Sequence, residues 1–205
     1  MRGRWISAKQ VGLSNPSLVN GLLMRVFVLS TGRCGSTTFT RACEHFTNYT
    51  SGHEIRARKV GPVRLSYPDH HIENDNRLTW FLGRLDRAFG NSAFYVHLTR
   101  DVDAVAHSFA KRMSWEGAIL PAYANGIIMN GTKVNPNAEN LDFAYDYIDT
   151  VTSNIEHFLK DKTMKMNFSL EEAESDFPAF CEKIAANGDL DAATAEFKIN
   201  HNASR

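Results

Sequence analysis

Apolar residues along the chain fall into short strand-like runs that alternate with longer segments of helical period. The runs predict strands at Arg25–Ser30, Ala93–Thr99 and Thr163–Phe168, with a shorter one at Tyr49–His53. Helices are predicted at Ser36–Phe46, Asn76–Phe89, Asp103–Met113, Trp115–Met129, Glu139–Lys160, Asp176–Ala186 and Leu190–Phe197. Because strands separated by helices of this length usually form a parallel sheet covered on both faces, we expect an α/β three-layer sandwich.

One domain is the expected organisation. The chain has 205 residues and shows no internal repeat, low-complexity tract or clear linker. We treat residues 1–23, which precede the first predicted strand, as an N-terminal extension, and residues 24–205 as a single domain. The least regular segments, Ala57–His71 and Asn130–Asn137, are expected to carry substrate contacts, as loops of α/β domains often do.

Composition excludes several classes of protein. Lys+Arg and Asp+Glu both number 23, and a chain with net charge +0 lacks the basic excess of a nucleic-acid-binding protein. The three cysteines have neither disulfide-framework nor metal-ligand spacing, so we expect a reducing, cytoplasmic location. No apolar run reaches the roughly 18 residues of a membrane span, and none is expected. The oligomeric state cannot be predicted.

The stretch VFVLSTGRCGSTTF, Val26 to Phe39, places a turn rich in Gly, Ser and Thr between a strand and a helix. Backbone N–H groups and the positive end of the helix dipole attract anions to such a turn. Arg33 adds a planar guanidinium suited to a phosphate or sulfonate. No lysine follows Gly35, so the stretch does not match the ATP-binding loop G-x-x-x-x-G-K-[ST]. An ordinary strand–turn–helix with an N-capping serine is the alternative.

Cys34 lies within this turn, as does the cysteine of thiol phosphatases. That chemistry requires an arginine six positions after the cysteine, where this chain has Thr40, and Arg41 comes one position too late. We therefore interpret Cys34 as a small residue that fits the turn and not as a nucleophile.

A second strand–helix junction occurs in FYVHLTRDVDAVAHSFAKR, Phe94 to Arg112. Arg100 ends the strand, at the edge where α/β sheets bind ligands, and Ser108 follows about two helical turns later. The alternative is that Arg100 pairs with Asp101 or Asp103 and caps the helix. Two junctions that each carry a basic residue and a hydroxyl suit a ligand with two separated anionic groups.

These two stretches resemble the motifs of sulfotransferases that use 3′-phosphoadenylyl sulfate (PAPS). STGRCGSTTF resembles the 5′-phosphosulfate loop, and RDVDAVAHS resembles the 3′-phosphate motif, with Val102 where the common form has proline. The segments IENDNRLTWFLGRLD and FPAFCEKIAANGDLDAA also look like those of small bacterial sulfotransferase-like proteins. The resemblance covers roughly residues 25 to 202 and implies a fold of the P-loop nucleotide-binding type.

The resemblance implies a site as well as a fold. The phosphosulfate would be held by the loop residues Arg33, Cys34, Gly35, Ser36, Thr37 and Thr38, and the 3′-phosphate by Arg100 and Ser108. The sulfuryl group would pass without a metal from PAPS, which leaves as 3′-phosphoadenosine 5′-phosphate (PAP), to a hydroxyl or amine of a small molecule or carbohydrate.

The base of such a reaction is expected in TSGHEIRAR, after the short strand. In related sulfotransferases the base is a His or a Glu, and here Glu54 is the first choice and His53 the second. Arg33 would stabilise the transferring group. The alternative is that one of the pair hydrogen-bonds to Arg56 or Arg58.

The remaining polar residues carry weaker signals. His70, His71 and Glu73 are expected before a helix, with Asp75 and Arg77 as a helix cap and a surface ion pair, and no metal site is predicted. Two other functions remain open: a divergent P-loop small-molecule kinase, which would need Mg²⁺, and a non-catalytic nucleotide-binding protein of the same fold.

Overall fold

The structure is a computed structural model that describes residues 24–112, 117–129, 139–199 and 201. Five strands form one sheet: β1 (Arg25–Leu29), β2 (Thr50–His53), β3 (His71–Asn74), β4 (Ala93–Thr99) and β5 (Lys165–Ser169). Their order is β2-β3-β1-β4-β5, and every neighbouring pair is parallel. The predicted α/β fold with a central parallel sheet is confirmed.

Seven α-helices connect and cover the strands within the described residues. They are α1 (Ser36–Glu44), α2 (Leu82–Phe89), α3 (Val102–Ala110), α4 (Ile119–Ala122), α5 (Glu139–Leu159), α6 (Ala173–Lys183) and α7 (Leu190–Ala195). Short 3₁₀ turns lie at Gly61–Leu65, Asn76–Trp80 and Glu196–Lys198, and a π-helical turn, Tyr123–Ile127, continues α4. No helix in the described ranges has both the length and the apolarity of a membrane span.

Two of the helix predictions need correction. The helix expected at Asn76–Phe89 is divided into a 3₁₀ turn and α2, and the junction lies at Phe81. The helix expected at Trp115–Met129 is reduced to α4 and its π-helical turn, and Trp115 lies outside the described residues. The extension 1–23 and the irregular segment 130–137 also lie outside them.

The core is built around β1 and the helix that follows it. Residues 26–29 of β1 are completely buried, as expected for a central strand of a parallel sheet. In α1, Phe39 is also completely buried and packs against the rings of Phe168 and Phe180, with centroid distances of 5.0 and 5.1 Å. Both ends of the loop between β1 and α1 are therefore anchored in packed elements.

Strand β3 was not predicted, although His70, His71 and Glu73 do precede a helical turn, Asn76–Trp80, as expected. The strand includes His71 and Glu73. Its sequence, HIEN, is mostly polar, yet all four residues are buried. The side chains compensate each other: His71 Nε2 lies 3.0 Å from Glu73 Oε2, and His71 Nδ1 lies 2.8 Å from the Thr50 hydroxyl. Since hydrogen bonds satisfy these groups, the strand is buried without an apolar pattern.

Asp75 and Arg77, which follow β3, take the predicted roles of a helix cap and a partly exposed ion pair, the latter with Glu54. Asp75 does cap the 3₁₀ turn, because its Oδ1 accepts a hydrogen bond from the Arg77 backbone N–H at 2.8 Å. However, its ion partner is buried: Arg64 Nη2 lies 2.6 Å from Asp75 Oδ2, and the two side chains are 1% and 0% exposed. Loss of one partner from such a buried pair leaves an uncompensated charge, so this pair fixes the end of β3.

Candidate functional site

The carboxyl ends of all five strands meet at one edge of the sheet, and the predicted site residues lie there. The loop Ser30–Gly35 follows β1, His53 ends β2 and Arg100 follows β4. Two further contributors come from strands for which no contact was predicted: Arg77 after β3 and Leu170 after β5. Ligands of parallel α/β sheets bind at this edge.

The loop after β1 depends on its glycines. Gly32, Arg33 and Gly35 all have positive φ, at 88°, 63° and 85°. A Cβ on Gly35 would lie 2.7 Å from the side chain of Leu170, the residue after β5. Only glycine therefore fits at this position without displacing Leu170. Helix α1 then starts at Ser36 with Gly35 as its N-cap and no capping side chain, and the predicted alternative of an N-capping serine is therefore wrong. Its amino end offers its dipole to an anion.

A first cleft of about 320 Å³ lies on the β4–β5 side of this loop. It is lined by Arg33, residues 35–38, Arg100, Leu170 and residues 197–199. Every predicted phosphosulfate contact except Cys34 is included, and the lining contains three cations and no carboxylate. The cleft is thus suited to a multiply charged anion.

Lys198 is the cation that the sequence did not reveal. It belongs to the 3₁₀ turn Glu196–Lys198 after α7, far from the loop in sequence. The adjacent Phe197 brings it to the cleft by packing against Phe177 and Phe168, with centroid distances of 5.0 and 5.8 Å. No local motif marks the residue, because its position results from tertiary packing alone.

The two predicted junctions are brought into direct contact. Arg33 Nε donates to the Ser108 hydroxyl at 2.9 Å, and Arg100 Nη1 donates to the Arg33 carbonyl at 3.3 Å. Burial, together with the charges of Arg112 and Arg100, lowers the pKa of Arg33. Ser108 lies behind the Arg33 side chain and is not among the lining residues of the cleft. Guanidinium groups crowded in this way favour a bound anion.

The alternative partners of Arg100 are engaged elsewhere. Asp101 Oδ1 caps α3 by accepting a hydrogen bond from the Ala104 N–H at 2.8 Å. Asp103 accepts one from the Tyr145 hydroxyl at 2.8 Å. The interpretation of Arg100 as a helix cap is therefore wrong, since Asp101 fills that role.

Cys34 contributes its buried side chain to the loop and not to a cleft lining. Its side chain is buried, its thiol lies 3.3 Å from both the Thr31 hydroxyl and the Gly32 carbonyl, and it lines neither cleft described here. Burial raises the pKa of the thiol to about 11. A thiol that is protonated at neutral pH is a poor nucleophile, in keeping with the interpretation of Cys34 as a residue that fits the turn.

A second cleft of about 240 Å³ lies on the β2–β3 side of the loop. It shares Arg33, Ser36 and Thr37 with the first cleft. Its other lining residues are Gly32, His53, Glu54, Asn76, Arg77, Phe109, Arg112 and residues 117–119. Both predicted bases are therefore in one cleft, which meets the anion-binding cleft at the loop.

The two candidate bases have different partners. His53 Nε2 lies 3.0 Å from the hydroxyl of Ser36, a residue that lines both clefts. The Glu54 carboxylate is paired with Arg77 Nη1 at 2.7 Å, and neither of the partners considered from sequence, Arg56 and Arg58, occupies that position. His53 is consequently closer to the loop, whereas Glu54 fixes an arginine at the cleft wall.

Buried polar groups of β3 hold the turn that carries these bases. Glu54 has a left-handed backbone with φ of 55°, and its N–H donates to the Asn74 carbonyl at 3.1 Å. The next N–H, of Ile55, donates to Glu73 Oε1 at 3.0 Å. Burial raises the pKa of Glu73, although its hydrogen bond with His71 opposes that effect. The unpredicted strand therefore positions the predicted bases.

Neither the family models nor the curated proteins include a match to this chain. Among solved structures, the chain is similar to one described as the sulfotransferase domain from the curacin biosynthetic pathway. The TM-score is 0.62 at 14% identity, over 87% of this chain and 79% of that one. Within the described residues, no group of three or more His, Cys, Asp or Glu side chains is arranged to hold a metal ion. At this identity the likeness concerns architecture, and the chain has a sulfotransferase-like fold.

Proposed function

We propose that the protein is a sulfotransferase that moves the sulfuryl group of PAPS to a hydroxyl of an acceptor. One observation carries the proposal: the loop residues Arg33, Ser36 and Thr37 line an anion-binding cleft on one side and a cleft with proton acceptors on the other. Transfer from a charged donor to a neutral hydroxyl requires both kinds of cleft to meet at the reacting atom.

In this proposal PAPS occupies the first cleft. Arg100 and Lys198 are the cations of that cleft besides Arg33, and we assign the 3′-phosphate to them. The phosphosulfate would lie at the amino end of α1, where Arg33 and the hydroxyls of Ser36 and Thr37 stabilise the charge of the transferring group. Ser108 would act through Arg33, to whose Nε it is hydrogen-bonded.

The acceptor enters from the second cleft. Its hydroxyl oxygen forms a new bond to sulfur as the bond from sulfur to the bridging phosphate oxygen breaks, and that electron pair leaves with PAP. The hydroxyl proton passes to His53 Nε2, which lies 3.0 Å from the Ser36 hydroxyl. This geometry favours His53 over Glu54, because the Glu54 carboxylate is engaged by Arg77 Nη1, whereas His53 Nε2 faces the loop hydroxyl of Ser36.

Thermal unfolding with PAP or ADP, each without Mg²⁺, tests the proposal. PAP at 100 times its Kd should stabilise the protein by about 2.7 kcal/mol, and ADP at the same concentration should have much less effect. A kinase would instead respond to ADP with Mg²⁺. Transfer of radiolabelled sulfuryl from PAPS to a pooled set of alcohols then separates an enzyme from a non-catalytic binding protein.

A further inference from the structure

The second cleft has more positive than negative side chains in its lining. Three arginines, Arg33, Arg77 and Arg112, line it together with a single carboxylate, that of Glu54. The whole chain has a net charge of +0, so positive charge is concentrated at this position. Clefts lined by one sign of charge attract ligands of the opposite sign.

Each arginine of this cleft has a different surrounding. Arg33 also lines the first cleft, where the proposed donor binds. Arg77 is held by the Glu54 carboxylate at 2.7 Å and donates to the Gly117 carbonyl at 3.1 Å. Arg112 follows α3 and lines the second cleft without lining the first. Arg77 and Arg112 are therefore the arginines that distinguish the acceptor side, and Arg77 is the one that Glu54 engages.

Part of the remaining lining of the cleft is apolar, namely Phe109, Ala118 and Ile119. Phe109 lies three residues before Arg112, whose backbone N–H donates to the Phe109 carbonyl at 2.9 Å. Ala118 and Ile119, from the start of α4, also line the cleft. A cleft of about 240 Å³ is smaller than most sites for drug-sized ligands, so a single ring matches its size.

From these features we infer that the acceptor is a single-ring alcohol or phenol that carries a carboxylate. The carboxylate binds the Arg112 guanidinium, the ring packs against Phe109 and Ile119, and the hydroxyl faces His53. Guanidinium and carboxylate match in shape as well as charge, which makes Arg112 a specificity-determining residue. The inference rests on the proposed function, which assigns the first cleft to the donor.

Matched ligand pairs test the inference on PAP-saturated protein. One pair is methyl β-D-glucuronide with methyl β-D-glucoside, and the other is 4-hydroxyphenylacetate with its amide. We expect the carboxylated member of at least one pair to bind about tenfold more tightly by NMR titration, and the pair that responds distinguishes a sugar from an aryl acceptor.

Two neighbouring variants complete the experiment. Arg112→Gln should abolish the preference for the carboxylate, whereas Lys111→Gln, at an exposed position beside it, should retain it. Lys111→Gln should bind PAP like the parent protein, and Arg112→Gln is compared at a PAP concentration that saturates it. Equal affinities within both pairs, including no measurable binding of any member, or a preference that survives Arg112→Gln, would overturn the inference. Failure of the parent protein to bind PAP would instead count against the proposed function.

Discussion

The two clefts on either side of the β1–α1 loop differ in chemistry although they share three residues. The first combines Arg33, Arg100 and Lys198 with loop hydroxyls and has no carboxylate in its lining. The second has an imidazole and a carboxylate, from His53 and Glu54, and an apolar wall. One side is thus suited to hold negative charge and the other to accept a proton, and the loop lies where the two tasks meet.

The order of the strands explains this difference. In the order β2-β3-β1-β4-β5, strands β4 and β5 lie on one side of β1 and deliver Arg100 and Leu170 to the first cleft. Strands β2 and β3 lie on the other side and deliver His53, Glu54 and Arg77 to the second. Variants on the two sides should therefore have separable effects on donor binding and on turnover.

The largest expected effect is a loss of turnover in a variant of the second cleft. His53→Gln removes the proposed base and should lower turnover about 10²- to 10⁴-fold while the affinity for PAP stays within about twofold. Glu54→Gln should have a smaller effect on turnover and also leave PAP binding intact, since it loosens Arg77 without removing the imidazole. The measurement is radiolabelled sulfuryl transfer to an acceptor from the pooled set, beside calorimetric titration with PAP. If Glu54→Gln lowers turnover more than His53→Gln does, Glu54 is the base and the assignment to His53 is wrong.

An intermediate effect is expected in the first cleft. Lys198→Met should weaken PAP binding about tenfold, because a hydrogen bond to a charged group contributes about 1.5–3 kcal/mol. Lys160→Met, at an exposed position after α5, is the matched control and should bind PAP normally. Turnover at saturating PAPS should change little in either variant. Equal PAP affinity in the two variants would exclude Lys198 from the donor site.

The parts of the molecule that the sequence predicts are those with local signals. The strands β1 and β4 and the loop with Arg33 were predictable because apolar runs, glycines and hydroxyls mark them in sequence. Strand β3 was not, since its burial depends on cross-strand partners such as Thr50 and on the distant Arg64, which a polar HIEN sequence does not show. Lys198 reaches its cleft only through tertiary packing.

Of the two irregular segments, only 57–71 lies in the part of the chain that the structure describes, and it does not line the second cleft. The apolar wall of that cleft comes from Phe109 and residues 117–119. The segment 57–71 contributes Arg64 and Tyr67 to the buried support of β3 instead. Irregular sequence here indicates a supporting element rather than a ligand contact.

The smallest expected effect concerns the turn that carries Lys198. Hydrogen bonds from His45 and from His201 lower the pKa of Glu196. Because this pKa is lower in the folded than in the unfolded protein, the ionised carboxylate stabilises the fold above its unfolded pKa of about 4.3, and this stability is lost as pH falls through the folded pKa.

Glu196→Gln should accordingly lower the Tm at pH 7 by no more than about 4 °C, and by less at pH 4. Thermal unfolding at the two pH values measures this difference, and Glu182→Gln, an exposed position in α6, is the control. A loss of stability in Glu196→Gln that is larger at pH 4 than at pH 7 would show that the sign is wrong. At neutral pH the second cleft, and with it turnover at saturating PAPS, should be unaffected.

Calorimetric titration with PAP and with ADP, both without Mg²⁺, tests the proposed donor site most directly. PAP should bind at least about 100-fold more tightly than ADP, since charge-assisted hydrogen bonds to the 3′-phosphate contribute about 1.5–3 kcal/mol each, and Arg100→Ala should lower this preference at least about tenfold. Equal binding of the two nucleotides, or binding of ADP only when Mg²⁺ is added, would contradict a donor site for PAPS beside the Arg33 loop.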